Sequence, residues 1–305
     1  MKIITLGTGA AVPTLQRGHP AVLLWWQGKY FLFDCGEATQ VQFRKAGLKF
    51  SRLEAIFISH LHGDHILGIM GLLMSLELSE RKKPLHIYGP AGIKEYIETS
   101  TKLMNTVFNF EINITEIRAD FNLEEKGYSI RALPLEHRVF SLGYSFREHN
   151  HPGKFYIEKA REFCIPEGPL YGKLQRGENI ELPDGRIINS HEVVGKAVEG
   201  RKIVYCGDTR PCLNAVKLAE EADLLIYEGT FEPDALDKAK ISGHSTTLEA
   251  AEIALKAKVK KLIITHISSR YHDEEHLLGK STEIFPSTIL ARDLMEVEIP
   301  LKREE

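Results

Sequence analysis

The sequence predicts an α/β fold: an αββα sandwich of two packed mixed sheets with helices outside. Three observations predict it. Short apolar runs of strand length alternate with segments of helical spacing in both halves of the chain. Several of those runs end directly on a histidine or aspartate. No close sequence repeat is visible between the two halves.

The elements follow in order. Met1–Leu6 reads as a first strand leading into the loop Gly7–Pro20. Ala21–Trp26 and Lys29–Asp34 flank Gln27-Gly28 and read as a hairpin. Gln42–Ala46 has helical character. Leu53–Ser59 is a buried strand, Ile66–Ser79 a proline-free helix, and Leu85–Tyr88 a strand stopped by Gly89-Pro90. Gly92–Met104 places Ile93, Tyr96, Ile97 and Met104 near helical spacing. Glu111–Ile117 and Tyr128–Leu135 return to strands. In the second half Lys202–Cys206, Asp223–Tyr227 and Lys261–Thr265 are strands. Pro211–Ala222, with proline in its first turn, and Thr246–Ala257 are helices.

The 305 residues suffice for a substantial core. The net charge of −3 argues against an extended basic footprint for nucleic acid but leaves room for a local one. No apolar run reaches membrane-spanning length, so no membrane partner is expected. The opening Met1–Gly9 is too short and glycine-punctuated for a signal peptide. Cys35, Cys164, Cys206 and Cys212 form no CxxC pair. A reducing cytoplasm is therefore the expected setting, with Cys206 packing beside its strand.

The chemistry concentrates in His60-Leu-His-Gly-Asp-His65. His60 and His62 alternate by two and share a side while the chain is extended. Gly63 permits a sharp turn that brings Asp64 and His65 to a second position. One tetrahedral zinc has no room for all four plus a reactive water, so two metals are expected, with further ligands downstream. Three later residues also end apolar strands: His137, Asp208 and His266. Glu136 beside His137, and Asp223 or Asp234 in place of Asp208, are alternatives. The balanced assignment gives one site His60, His62, His137 and Asp208. The other takes Asp64, His65, His266 and Asp208, whose two oxygens would bridge both ions. Two Zn²⁺ per subunit suit these ligands, with Mn²⁺ or Fe²⁺ as alternatives, and a close metal pair suits displacement at phosphorus.

Between the halves lies a segment rich in glycine, proline and charge, about 147–178, with a short central helix expected. It carries Lys154, Lys159, Arg161, Lys173 and Arg176 and interleaves Phe155, Tyr156 and Tyr171. Glu148, Glu158, Glu162 and Glu167 offset much of its charge, but long insertions in compact domains are often functional.

Taken together, these residues resemble the metallo-β-lactamase fold and, more narrowly, the short-form ribonuclease Z (tRNase Z) family. The HxHxDH motif marks the superfamily only. The narrower resemblance rests on Gly7-Thr-Gly-Ala-Ala-Val-Pro-Thr14, Gly207-Asp-Thr-Arg210, Ser242-Gly-His-Ser-Thr246, Thr265-His-Ile-Ser-Ser-Arg-Tyr271 and Gly168-Pro-Leu-Tyr-Gly-Lys-Leu174. It implies a single domain over 1–305 with 147–178 as a protruding flexible arm. It implies an endoribonuclease that removes the 3′ trailer of precursor tRNA after the discriminator nucleotide, leaving a 3′-OH on the tRNA and a 5′-phosphate on the trailer. Asp64 would act as general base and His244 as proton donor, with Glu228 a candidate to orient His244. Arg270 would bind the scissile phosphate. The arm's lysines and arginines would hold tRNA backbone, reading shape more than sequence. A homodimer is implied and no DNA partner is expected. The competing readings are a small-molecule phosphodiesterase or thioesterase of the same fold, and a non-catalytic metal-bound RNA-binding protein.

Overall fold

The computed structural model describes residues 1–271 and 274–301. Two seven-stranded sheets form the main unit. The first runs in the spatial order Met295–Glu298, Lys2–Gly7, Ala21–Trp26, Lys29–Phe33, Leu53–Phe57, Leu85–Pro90, Ile112–Ile117. Its first four strands pair antiparallel and its last four parallel. The second runs Thr288–Leu290, Leu262–Thr265, Leu224–Glu228, Lys202–Cys206, Ser141–Glu148, Tyr128–Leu135, Phe121–Glu125. Its first four strands are parallel. The expected mixed sheets are therefore present.

Alternation along the strands decides what faces where. On Lys29–Phe33, Tyr30 and Leu32 join Ile4, Leu23 and Ile56 beneath the helices Thr39–Lys45 and Ile69–Leu78. Phe31 and Phe33 point the other way. Phe33 stacks on Phe57 of its own sheet at 5.4 Å and on Tyr205 of the other at 5.5 Å. Phe57 also meets Tyr144 at 5.4 Å. The layer between the sheets is thus aromatic. Its tyrosines need hydrogen-bond partners and find them beside the motif: Tyr144 donates to Ile58 O at 2.7 Å and Tyr205 to Asp34 Oδ2 at 2.6 Å.

The hairpin forms as expected, with Trp26 opposite Lys29 and positive φ at Gln27 and Gly28. Thr247–Lys256 starts at a capping box between Thr246 and Glu249. Other boundaries differ. The helix expected over 66–79 is two, Gly63–Ile66 and Ile69–Leu78. The break falls where Gly68 meets the Cys35–Gly36 backbone: its N–H donates to Cys35 O at 3.0 Å, and a Cβ there would lie 1.9 Å from Gly36 O. Gly89 and Pro90 continue their strand, pairing with Glu116 and Ile117 rather than stopping it. Proline is tolerated there because it ends the ladder. Pro211 precedes its helix, which runs Leu213–Ala219 after an extended Cys212. The central strand Ser141–Glu148 and the elements after residue 273 had no expectation.

Arg147–Arg201, with Lys126–Tyr128, forms a second compact unit, longer than the 147–178 expected for the arm. It has its own apolar cluster, in which Ile180, Leu182, Ile188 and Val193 complete what Ala160, Ile165 and Leu174 begin. A buried ion pair joins its ends: Arg201 donates to Glu148 from Nε at 2.7 Å and from Nη2 at 2.9 Å. It contains three short helices, Ile157–Glu162, Pro169–Gln175 and Ser190–Val193. Phe155 and Tyr171 pack on each other at 4.7 Å and against this unit's core. Tyr156 instead lies under Lys154 and Lys159.

The aromatic layer sets a stability expectation. Phe57→Ala removes a fully buried ring shared by both sheets and should cost about 3–5 kcal/mol. Urea unfolding followed by tyrosine and tryptophan fluorescence checks this, and a loss under about 1 kcal/mol would contradict the packing described.

Candidate metal centre

The candidate ligands emerge from the strand ends of both sheets. Leu53–Phe57 runs on into Ser59, His60 and His62, which is extended at φ −66° and ψ 148°. The helical turn Gly63–Ile66 then redirects Asp64 and His65. Gly63 is not in the left-handed region expected for a sharp turn; the helix start makes the turn. From the second sheet come His137 after Tyr128–Leu135, Asp208 after Lys202–Cys206 and His266 after Leu262–Thr265.

These side chains meet in two groups around Asp208. His60, His62 and His137 gather with Asp208 so that one ligand atom from each lies within 4.8 Å of the others. Asp208 Oδ2 faces this group, 3.6 Å from His60 Nε2 and 4.0 Å from His137 Nε2. Asp64, His65 and His266 form the second group. Asp208 Oδ1 faces it, 3.4 Å from His65 Nε2 and 3.2 Å from His266 Nε2. Asp64 Oδ2 lies 3.7 Å and 3.5 Å from the same two nitrogens. The alternatives lie elsewhere. Asp223 accepts from Lys202 N and Lys260, Asp234 pairs with Lys280, and Glu136 is exposed.

The hydrogen-bond network fixes which ring nitrogens are free. His65 Nδ1 donates to Asp34 Oδ2 at 2.7 Å, and His137 Nδ1 to Gly243 O at 2.7 Å. His60 Nδ1 meets Ser59 Oγ at 3.0 Å, whose own proton goes to Asp34 Oδ2 at 2.8 Å. His266 Nδ1 meets Thr230 Oγ1 at 2.7 Å, whose proton goes to Glu228 Oε2 at 2.7 Å. In each chain the hydroxyl is already a donor, so the imidazole must donate to it and keep its Nε2 lone pair for the cluster. His62 presents Nδ1, 2.9 Å from His60 Nε2.

Charge follows the same pattern. Burial would raise Asp208, but His266 and His65 beside it outweigh burial and hold the carboxyl well below its usual range. Burial is likewise outweighed at Asp64 by its hydrogen bond to His266 and the charges of His65 and His266, so Asp64 too is ionised at neutral pH. Burial, reinforced by His65, keeps His60 neutral. The buried Asp208 Oδ1 has no hydrogen-bond donor. A buried anionic oxygen without a donor, facing imidazole lone pairs, calls for a cation. The donor set fits divalent metal.

Three support groups escaped the sequence reading. Asp34 is fully buried at φ +56° and accepts from Ser59 N, Ser59 Oγ, His65 Nδ1 and Tyr205 OH. It also ends an apolar strand, the signal that exposed the ligands. Thr230 left no sequence signal. The Ala11 N–H, which donates to Asp64 Oδ2 at 2.9 Å, is backbone and invisible in residue types.

His244 lies beside the cluster, its Nδ1 2.9 Å from Glu228 Oε1 and 3.8 Å from Asp208 Oδ2. Burial lowers its pKa, but the charge and hydrogen bond of Glu228, then Asp208, raise it to about 9. Arg270 lies over the Phe231 ring at 5.1 Å and donates from Nε to Ser268 Oγ at 3.0 Å, and the Phe231 ring is 6.1 Å from His244. Within the second unit Lys154, Lys159, Arg161, Lys173 and Arg176 are all exposed. Arg161 pairs with Glu158 and Glu167, and Arg176 with Glu178.

Over 299 residues the chain is 46% identical to a ribonuclease Z of Methanothermobacter thermautotrophicus, covering 98% of this chain and 97% of that one. The chain belongs to the ribonuclease Z family. A ribonuclease BN of Proteus mirabilis is also 46% identical over 299 residues, covering 96% of this chain and 98% of its own. Among solved structures, the crystal structure of human tRNase Z, short form (ELAC1), superposes with a TM-score of 0.73 at 31% identity, covering 99% of this chain and 100% of that one. Residues 1–137 match the family described as anti-Pycsar protein Apyc1, and residues 175–267 the beta-lactamase superfamily domain. This member of the ribonuclease Z family therefore has the metallo-β-lactamase fold.

Asp34→Ala should lower divalent-metal affinity about 10–100-fold, because it frees His65 and Ser59 to reorient. Metal titration with a competing chelator measures it, with circular dichroism to verify folding. Undiminished affinity in a folded variant would contradict the supporting role of Asp34.

Proposed function

We propose that this chain is a metal-dependent endoribonuclease that removes the 3′ trailer of precursor tRNA, cutting after the discriminator nucleotide. The observation that carries the reading is the division of Asp208 between two ligand groups, with the His244–Glu228 pair beside it. His60, His62, His137 and Asp208 would hold one ion and Asp64, His65, His266 and Asp208 the other, with zinc the first candidate and manganese or iron the alternatives. When bound, the ions acidify the attacking water and neutralise charge developing on the phosphate.

The chain's own groups supply the remainder. Asp64 is ionised and takes the proton of the attacking water as general base. His244 is protonated at neutral pH, and Glu228 holds it through Nδ1, leaving Nε2 to protonate the departing 3′ oxygen. Arg270 is the candidate fork donor to the scissile phosphate. The products are a 3′-OH on the tRNA and a 5′-phosphate on the trailer.

Arg147–Arg201 serves in this reading as the arm that holds the tRNA body. Lys154, Lys159 and Lys173 are its best phosphate contacts, because Arg161 and Arg176 are already paired with glutamates. We propose a homodimer working in the cytoplasm. Among the described residues no helix is long and apolar enough to cross a membrane.

Cleavage mapping on a gel tests the reaction. Wild type should cut precursor tRNA once, after the discriminator nucleotide, and Asp64→Ala should abolish the cut; metal-independent cutting, or none, would overturn the reading. His244→Ala should lower kcat about 10²–10⁴-fold with metal content unchanged. Loss of metal in that variant would make His244 a ligand instead. Replacing Lys154, Lys159 and Lys173 together with alanine should weaken cleavage of precursor tRNA but spare bis(p-nitrophenyl) phosphate. Equal loss on both substrates would remove the arm from substrate binding.

A further inference from the structure

A second cationic site lies in the main unit, away from the metal centre. Arg44, Lys49, Arg52, Arg81, Lys82 and Lys83 line one cavity of about 560 Å³, over a floor of Leu48, Phe50 and Leu76. Glu80 is the one carboxylate among its lining residues. Among the described residues Arg44, Lys49, Arg52, Lys82 and Lys83 form no salt bridge. The macrodipole of helix Thr39–Lys45 accounts for Arg44 at its last turn, but not for the five cations that other segments bring to the same cavity.

Arg81 holds the turn that brings Lys82 and Lys83 to this cavity. It is 7% exposed. Its Nε donates to Lys83 O at 2.7 Å, and its Nη2 to Leu53 O at 2.8 Å and Pro84 O at 2.6 Å. Those bonds fix the guanidinium plane. Its Nη1 is buried without a hydrogen-bond partner, and the guanidinium lies over the Phe110 ring at 5.7 Å.

The chain path separates this cavity from the proposed chemistry. Phe50–Arg52 leads into the start of Leu53–Phe57, and Arg81–Lys83 precedes the parallel strand Leu85–Pro90. His60 follows the other end of Leu53–Phe57, and five extended residues span about 16 Å. One cavity therefore offers cations for phosphate and an apolar floor that includes Phe50, stacked on Phe43 at 5.6 Å. The volume suits one small ligand.

We propose that this cavity binds the phosphate of a nucleotide, with Lys49, Arg52, Lys82 and Lys83 as its anion-binding groups. The nucleotide is either free or part of a bound RNA chain. This goes beyond the cleavage reading and none of its residues belongs to the metal centre, so the two stand or fall separately.

Calorimetric titration of the metal-loaded protein tests it with three probes: inorganic pyrophosphate, ADP and a mature tRNA without trailer. Lys82→Ala/Lys83→Ala and Lys49→Ala/Arg52→Ala are compared with wild type and with Lys94→Ala/Lys102→Ala, a control for general loss of charge. The groove variants should weaken at least one probe fivefold or more, with the control unchanged. Loss for ADP and pyrophosphate identifies a free nucleotide; loss for tRNA alone identifies a nucleotide of the RNA chain. If no probe is weakened in folded groove variants, or the control weakens equally, the proposal is overturned. Arg81 is left intact because its three bonds to backbone carbonyls also support the fold.

Discussion

The site depends on one buried carboxylate shared between two sets of imidazoles. Asp208 presents Oδ2 to His60 and His137 and Oδ1 to His65 and His266. Such an anion is costly to bury unless cations or donors surround it. Half of its surroundings come from the first sheet and half from the second. The cluster therefore exists only when the two sheets are packed, and the aromatic layer of Phe33, Phe57, Tyr144 and Tyr205 holds them so.

The same layer reaches up to the chemistry. Tyr205 packs its ring on Phe33 and spends its hydroxyl on Asp34, which in turn orients His65 and Ser59. Burial energy at the sandwich centre is thereby linked, through two hydrogen bonds, to the aim of a ligand nitrogen. Strain collects at this rim as well. Ala11, Asp34 and His266 all have positive φ, and each touches the cluster directly or through one bond. Non-glycine residues keep such conformations only where the surroundings fix them.

The residues that gather around Asp208 were legible because metal chemistry uses few residue types and the fold puts them at strand ends. His60, His62, Asp64 and His65 stand out as a motif; His137, Asp208 and His266 follow from their apolar leads. Packing decided the rest. Gly68 looks like any glycine in a helix until the Cys35–Gly36 backbone approaches it. Ile180 to Val193 drew no expectation from the sequence, yet they close the cluster begun by Ala160 and Leu174. Asp34 obeyed the strand-end rule but had no histidine neighbour to draw attention to it. The His244–Glu228 contact joins residues 16 apart in sequence through a turn that no periodicity reveals.

Metal stoichiometry by mass spectrometry of the intact folded protein tests the central claim most directly, applied to wild type, His62→Ala and Asp208→Ala. A shared Asp208 predicts two ions in wild type, weakened binding of one in His62→Ala, and weakened binding of both in Asp208→Ala. A single ion in wild type, or one ion held at undiminished affinity after Asp208→Ala, would contradict it.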